Sequence, residues 1–163
     1  MKFRIRYAEE KDAYEIERLL GCIHKQHSQG RPDLFGGGKP KMNADMIRAV
    51  IAGKSTVFLA AADENDILVG YAICMVHPNE NPAQRDYKSL YIDDLNVSEE
   101  HRRCGIGSAL LDRIKKEAKA LGCYNVTLNV WAFNSSAIRF YEKSGMFVQR
   151  MIMECPVNTG TKE

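Results

Sequence analysis

Residues 91–107 concentrate the chemistry-bearing side chains of this sequence: Tyr91-Ile92-Asp93-Asp94-Leu95-Asn96-Val97-Ser98-Glu99-Glu100-His101-Arg102-Arg103-Cys104-Gly105-Ile106-Gly107. A strand pattern ends, a basic loop with two glycines follows, and a helical pattern begins. Such a junction aims unpaired backbone N–H groups at one point, and the helix dipole adds roughly half a positive charge there. Gly105 and Gly107 let a bulky anion approach the backbone without Cβ interference. Arg102 and Arg103 add positive charge, so a pyrophosphate is the natural guest. Two other phosphate loops are excluded by spacing. The third glycine of the dinucleotide fingerprint would fall on Leu110, and no Gly-Lys-Ser/Thr follows. On residue types alone, a plain turn remains the alternative.

The elements around this junction follow from periodicity. Phe3, Ile5 and Tyr7 alternate with Lys2, Arg4 and Arg6, as in a half-buried strand. Glu9, Glu10 and Asp12 suit the first turn of a helix carrying Ile16, Leu19, Leu20 and Ile23. Gly30-Arg31-Pro32 breaks it, and Gly36-Gly37-Gly38 extends an irregular stretch to Pro40. Asn43 is placed to cap a short helix with Met46, Ile47, Val50 and Ile51, ended by Gly53. Strands are expected at 57–62, 68–76 and 90–97, with a hairpin turn at 63–66 and a proline-containing loop at 77–88. Ile106, Ala109, Leu110, Ile114, Ala118 and Leu121 mark a helix stopped by Gly122. A strand at 124–131, a helix at 134–144 closed by Gly145, and a last strand at 147–153 complete the pattern. The strand–helix–strand unit implies parallel pairing through a right-handed crossover. The expected fold is α/β: an antiparallel meander joined to a parallel β-α-β unit in one mixed sheet, flanked by about four helices.

Arg102-x-x-Gly105-x-Gly107, between a strand and a helix, resembles the acetyl-coenzyme A pyrophosphate loop of the GNAT superfamily of N-acetyltransferases. Asn134-x-x-Ala137-x-x-Phe140-Tyr141-x-x-x-Gly145 resembles a later helix of the same superfamily, and Ile5-Arg6-x-Ala8-x-x-x-Asp12 its opening strand and helix. The resemblance spans nearly the full chain and implies a single acetyltransferase domain over residues 1–163. It implies that acetyl-CoA is the co-substrate and that residues 102–107 (Arg102, Arg103, Cys104, Gly105, Ile106 and Gly107), with Ser108, hold its pyrophosphate by backbone N–H groups. The main chain of Leu95, Asn96 and Val97 would pair with the pantetheine arm. Asn134 and Ala137 would lie along the cofactor, with Asn134 near the thioester and Tyr141 beside the sulfur. The implied reaction is direct attack of a primary amine on the thioester in a ternary complex. A non-catalytic acyl-CoA sensor, or an enzyme acting on protein lysines or N-termini, is the alternative.

Acetylating an amine poses two proton problems. An alkylammonium has a pKa of about 10.4, so only about one molecule in a few thousand is nucleophilic near neutrality. The leaving thiolate must also gain a proton. Tyr141, neutral with an ordinary pKa of about 10, can donate one; as a bare residue it could equally be a core aromatic beside Phe140. Asp93 and Asp94 enter the cofactor loop on a strand that resembles that of diamine acetyltransferases, where the acidic residue at the Asp93 position draws off the amine proton through water. Adjacent strand residues point to opposite faces, so one of the two is expected to face the site. A water relay or a raised pKa is then required, and solvated edge charges or an anchor for the substrate's cation are the alternative.

His27, Arg31, Asp33 and Phe35 follow the first helix, in the region that frames the acceptor pocket in GNAT-like folds. His24 and His27 are three residues apart but lack a carboxylate or cysteine partner, so no metal is expected. Cys104 is read as a tolerated small residue rather than an acyl-carrying nucleophile. The run 113–119 reads as a solvated helix face.

Composition sets outer limits. Apolar residues make up 45% and charged residues 27%, with a net charge of +2. That balance is globular, and the charge is too small to point to a nucleic-acid or membrane partner. Five cysteines without CxxC or zinc spacing suggest reduced thiols and a cytoplasmic protein. The expected partner is a small-molecule or peptide amine; a homodimer is compatible with the sequence but not indicated by it.

Overall fold

The alternating Phe3, Ile5 and Tyr7 form strand β1, Phe3–Tyr7. The structure, a computed structural model, describes residues 2–36, 40–53 and 55–157. Gly37 and Gly38 of the glycine stretch lie outside them. A 3-10 turn at Glu10–Asp12 leads into α1, Ala13–Gly30, and α2 spans Ala44–Gly53. Asn43 caps α2 as expected, its Oδ1 accepting from Met46 N at 2.9 Å.

Strands β2 (Val57–Asp63), β3 (Leu68–Pro78) and β4 (Lys88–Val97) form the antiparallel meander. The expected 63–66 turn joins the first two, with Asp66 in the left-handed region at φ 63°. Helix α3, Ile106–Ala120, then crosses over to β5, Asn125–Leu128, which pairs parallel to β4. The sheet order is β1-β2-β3-β4-β5. Helix α4 spans Ser135–Lys143. Among the described residues, the mixed five-stranded sheet and four α-helices match the α/β fold expected from sequence.

Burial separates two layers. Ile16, Leu19 and Leu20 of α1 and Ile47 of α2 pack with Phe58, Ala60, Tyr71 and Ile73. Ile106, Leu110, Leu111 and Ile114 of α3 are buried outside that cluster, consistent with the alternate face of the same strands. Each such side chain contributes roughly 1.5–3 kcal/mol relative to exposure.

Two strand expectations are corrected. The 124–131 strand shortens to Asn125–Leu128, because its pairing with β4 stops at Ile92. No strand is assigned at 147–153. By internal contacts the chain divides into two units, Met1–Trp131 and Ala132–Glu163. Among the described residues of the second unit α4 is the regular element, so the alternating apolar residues of 147–153 have no strand edge within it to pair with.

Candidate active site

The β3–β4 ladder slips by one residue at the middle of β4. Ile73 lies opposite Asp94 and Cys74 opposite Ile92, which leaves Asp93 as the extra residue of a β-bulge. A bulge re-aims side chains that strict alternation would send to opposite faces. Lys41 Nζ accordingly reaches both carboxylates, 2.7 Å from Asp93 Oδ2 and 3.3 Å from Asp94 Oδ2. The expectation that only one of the two could face the site is therefore corrected: the bulge turns both to one ammonium.

The two acids differ in environment. The Asp94 side chain is 8% exposed and that of Asp93 31%. Burial pushes the Asp94 carboxyl above its ordinary pKa, against the pull of Lys41 and with help from the Asp93 charge. Burial opposes the Lys41 charge, but Asp94 and Asp93 together outweigh it and hold the ammonium above its usual value. Tyr71 is fully buried nearby. Its hydroxyl makes no hydrogen bond of normal geometry, yet burial first and the Asp94 charge next raise its pKa.

From this bulge β4 runs toward the basic loop with one side of its ladder unused by β5. Parallel pairing covers Ser89 to Ile92, whereas the rest of the strand pairs with β3 alone among the described residues. Asn96 is buried, and its Nδ2 donates to Leu19 O at 3.0 Å, so its side chain belongs to the core and only its main chain remains for a ligand. Beyond Val97 the chain turns through Arg103 at φ 62° and Gly105 at φ 83°. Left-handed backbone at a non-glycine residue costs on the order of 1–2 kcal/mol. Left-handed backbone of this kind just before a helix start is a pattern that suits an anion-binding nest of N–H groups.

The N-terminus of α3 is open. Gly105 provides no side-chain cap, and the first turn carries no acidic residue. The bond from Ala109 N to Gly105 O, 3.0 Å, is the first of the helical ladder. Ile106, Gly107 and Ser108 precede it and therefore have no carbonyl within the helix for their N–H groups. The Ile106 side chain is itself buried and anchors this end. Arg102 is held loosely, with Nε 3.4 Å from Val97 O and a guanidinium nitrogen 3.5 Å from Glu99 Oε1. Cys104 is exposed.

The expected acceptor residues gather around a ring cluster. The Phe35 ring lies 5.0 Å from His27 and 5.5 Å from Trp131 between centroids. The Arg31 guanidinium sits 5.6 Å over the Trp131 ring while pairing with Asp33 at 2.7 Å. Burial, followed by the nearby His24 and Lys41 charges, lowers the His27 pKa. His24 Nε2 donates to Gly36 O, 3.0 Å away, and so ties Gly36 to α1. Among the described residues no group of His, Cys, Asp and Glu could hold a metal, and no helix is long and apolar enough to cross a membrane.

In the second unit Asn134 Oδ1 caps α4, accepting from Ala137 N at 3.2 Å and Ser136 Oγ at 3.0 Å. Tyr141 sits on the same helix beside Phe140, ring centroids 5.0 Å apart. Gly145, at φ 85°, closes the helix as its spacing predicted.

Sequence reasoning missed Lys41, Tyr71 and Trp131. The first two carry no local signal, because the bulge and a contact 52 residues distant define their roles. Trp131 did carry one: it is the chain's single tryptophan, standing just past β5.

Known proteins resemble this chain in sequence and fold. The Acetyltransferase (GNAT) family matches residues 7–146. A mutant form of the BH1408 protein from Bacillus halodurans is 31% identical, with a TM-score of 0.89 over 94% of this chain and 99% of that one. N-alpha-acetyltransferase 50 of Danio rerio is 38% identical over 50% of this chain and 46% of its own length. L-ornithine N5-acetyltransferase NATA1 of Arabidopsis thaliana is 36% identical over 50% of this chain and 35% of its own. The chain thus spans less than half the length of these curated relatives. With the open α3 N-terminus, the half-paired β4 and a match across most of the sequence, this chain belongs to the GNAT family of acetyltransferases.

Proposed function

We propose that the protein transfers an acetyl group from acetyl-CoA to a primary amine by direct attack in a ternary complex. The observation that carries this reading is the course of β4, whose unshared ladder edge links the acidic pair at one end to the open α3 N-terminus at the other. The residues fit the co-substrate. N–H groups at 105–108 and the arginines of the loop suit a pyrophosphate. The main chain of residues 95–97 suits an amide-bearing arm laid down as another strand. Acetyl-CoA supplies the acetyl group in activated, thioester form.

The chain's own residues then handle binding and protons. Asp93 and Asp94 attract the ammonium of the acceptor and take up its proton, directly or through water; the raised pKa of Asp94 makes it the better base of the two. Asn134 spends Oδ1 on its helix cap, which leaves the amide Nδ2 as its donor toward the co-substrate. Tyr141 gives a proton to the departing sulfur. His27, Phe35 and Trp131 flank the acceptor, with Arg31 and Asp33 bracing their loop. This reading takes residues 1–163 as one acetyltransferase domain. It places the protein in the cytoplasm, a compartment that maintains the free thiols of its five cysteines.

Release of coenzyme A thiol from acetyl-CoA, measured against polyamines, amino acids, aminoglycosides and peptides with free lysines or N-termini, tests the proposal. One amine class should support turnover. Tyr141→Phe should lower it about 10²–10⁴-fold with acetyl-CoA affinity nearly unchanged. Bound acetyl-CoA with no release from any amine would overturn transfer to amines.

A further inference from the structure

We infer that Lys41 is a self-acetylation site: its ε-amine occupies the acceptor position of its own active site and takes an acetyl group from an acyl thioester bound to the same molecule. The inference rests on the acetyl-CoA reading above and on three observations confined to the first unit.

The first is position. The loop that suits a pyrophosphate begins just after Val97, so an arm pairing along β4 runs backward from Val97 and ends at the bulge. The reacting carbonyl at the end of that arm falls beside Asp93 and Asp94. Lys41 Nζ already sits 2.7 Å and 3.3 Å from those carboxylates, where an external amine would have to lie.

The second is charge. Two carboxylates share this one ammonium, and the Tyr71 hydroxyl, fully buried, makes no hydrogen bond of normal geometry to either of them. A buried polar group left unmatched costs about 1–3 kcal/mol, as expected of a pocket arranged for a further polar guest. The third is access. The Lys41 side chain is 44% exposed, so its stem can shift by the short distance that attack requires.

The step balances without an oxidant or reductant. Nζ gives up one ammonium proton to the Asp93–Asp94 pair, and its lone pair forms a bond to the acetyl carbon. The thioester C–S bond breaks, its electron pair leaves on sulfur, and the second proton lost by nitrogen passes to sulfur to give the coenzyme A thiol. The product amide carries no charge, which frees both carboxylates for an external amine.

Incubation with acetyl-CoA and no acceptor, followed by intact-mass measurement and peptide mapping, tests this. One acetyl group should appear on Lys41 ahead of the exposed lysines, with a first-order rate constant independent of protein concentration, and Lys41→Arg should lack it. The double variant Asp93→Asn/Asp94→Asn separates catalysed from chemical labelling. Removing the acids lowers the amine's pKa and should speed its reaction with acetic anhydride, whereas labelling by acetyl-CoA should fall at least tenfold. A readout without transfer is protection: coenzyme A alone should slow the reaction of Lys41 with a lysine reagent. Equal labelling of all lysines, a first-order rate constant that rises with protein concentration, or no protection by coenzyme A would each overturn the inference. Amine turnover with Lys41 unmodified would overturn it while leaving the proposed function standing; neither turnover nor label would remove both.

Discussion

Two ionic clusters in the first unit are built from similar residues, one with its charges matched and one with acids in excess. At the β2–β3 turn, the single carboxylate of Asp66 receives Arg4, Arg6 and Lys11. Arg6 also grips Asp12 through two bonds of 2.6 and 2.9 Å. At the β4 bulge, two carboxylates share Lys41. The consequences run opposite ways. Lys11 and then Arg4 hold Asp66 well below the usual carboxylate range, whereas burial drives Asp94 above it. A cluster whose charges are matched, Arg4, Arg6 and Lys11 against Glu9, Asp12 and Asp66, is a finished structural joint; one with acids in surplus has capacity for an incoming cation.

The largest expected effect follows directly. Asp93→Asn/Asp94→Asn should lower kcat/KM for the amine about 10²–10⁴-fold, the range of a lost general base. Arg4→Ala and Lys11→Ala, on the surface of the other cluster, should leave it within about twofold. Steady-state kinetics on folded protein checks both. Comparable losses at the two clusters would erase the distinction between joint and site.

Stability should show the reverse order. Arg6 and Asp12 have side chains only 14% and 3% exposed, so Arg6→Ala strands a buried charge at a cost of about 3–5 kcal/mol. In a chain of this size that lowers Tm by about 10 °C. Thermal unfolding checks it, and turnover per folded molecule should stay unchanged. Arg6→Lys should recover only part of the loss, since an ammonium cannot reproduce the two-pronged grip.

The contrast also marks what could be read before the structure. Local periodicity and caps placed α2 behind Asn43, α3 from Ile106 to its stop at Gly122, and the 63–66 turn, because each depends on residues a few positions apart. The open N-terminus of α3 was legible for the same reason: Gly105 and the absence of an acidic first turn are local facts. The bulge was not, because it is a mismatch of register with β3 that β4 alone does not encode. Lys41 therefore stayed invisible as the partner of both acids, and strand alternation gave the wrong geometry for Asp93 and Asp94. The apolar alternation at 147–153 misled for a related reason, since a strand pattern cannot form a strand without an edge to pair with.

A smaller effect sharpens the idea that Lys41 stands in for the acceptor. Lys41→Ala should lower the acceptor KM several-fold by removing a competitor for the acids. It should change stability by no more than about 1 kcal/mol, because the ammonium is half exposed and screened. Amine titrations and thermal unfolding of the same variant check the two statements. An increase in KM would instead assign Lys41 to building the acceptor pocket.

The smallest effect is in the pH dependence of stability, where the two clusters must differ in sign. Asp66 has a depressed folded-state pKa, so its contribution is fully present above the unfolded value of about 3.9 and is lost as pH falls through the folded value. Asp66→Asn should therefore be less stable than the parent near neutrality, with the gap closing in acid. Asp94 has a raised folded-state pKa, so the folded state holds its proton more tightly than the unfolded chain does. Its ionisation costs stability as pH rises above about 3.9, and the cost is complete once the folded value is passed. Asp94→Asn should thus be more stable than the parent near neutrality, and should lose that advantage as pH falls toward 4. Tm measured for the parent and both variants across that range decides the matter. If both gaps have the same sign, Lys41 neutralises Asp94 as completely as the basic residues neutralise Asp66, and the acidic pair has no unmet charge to offer a substrate.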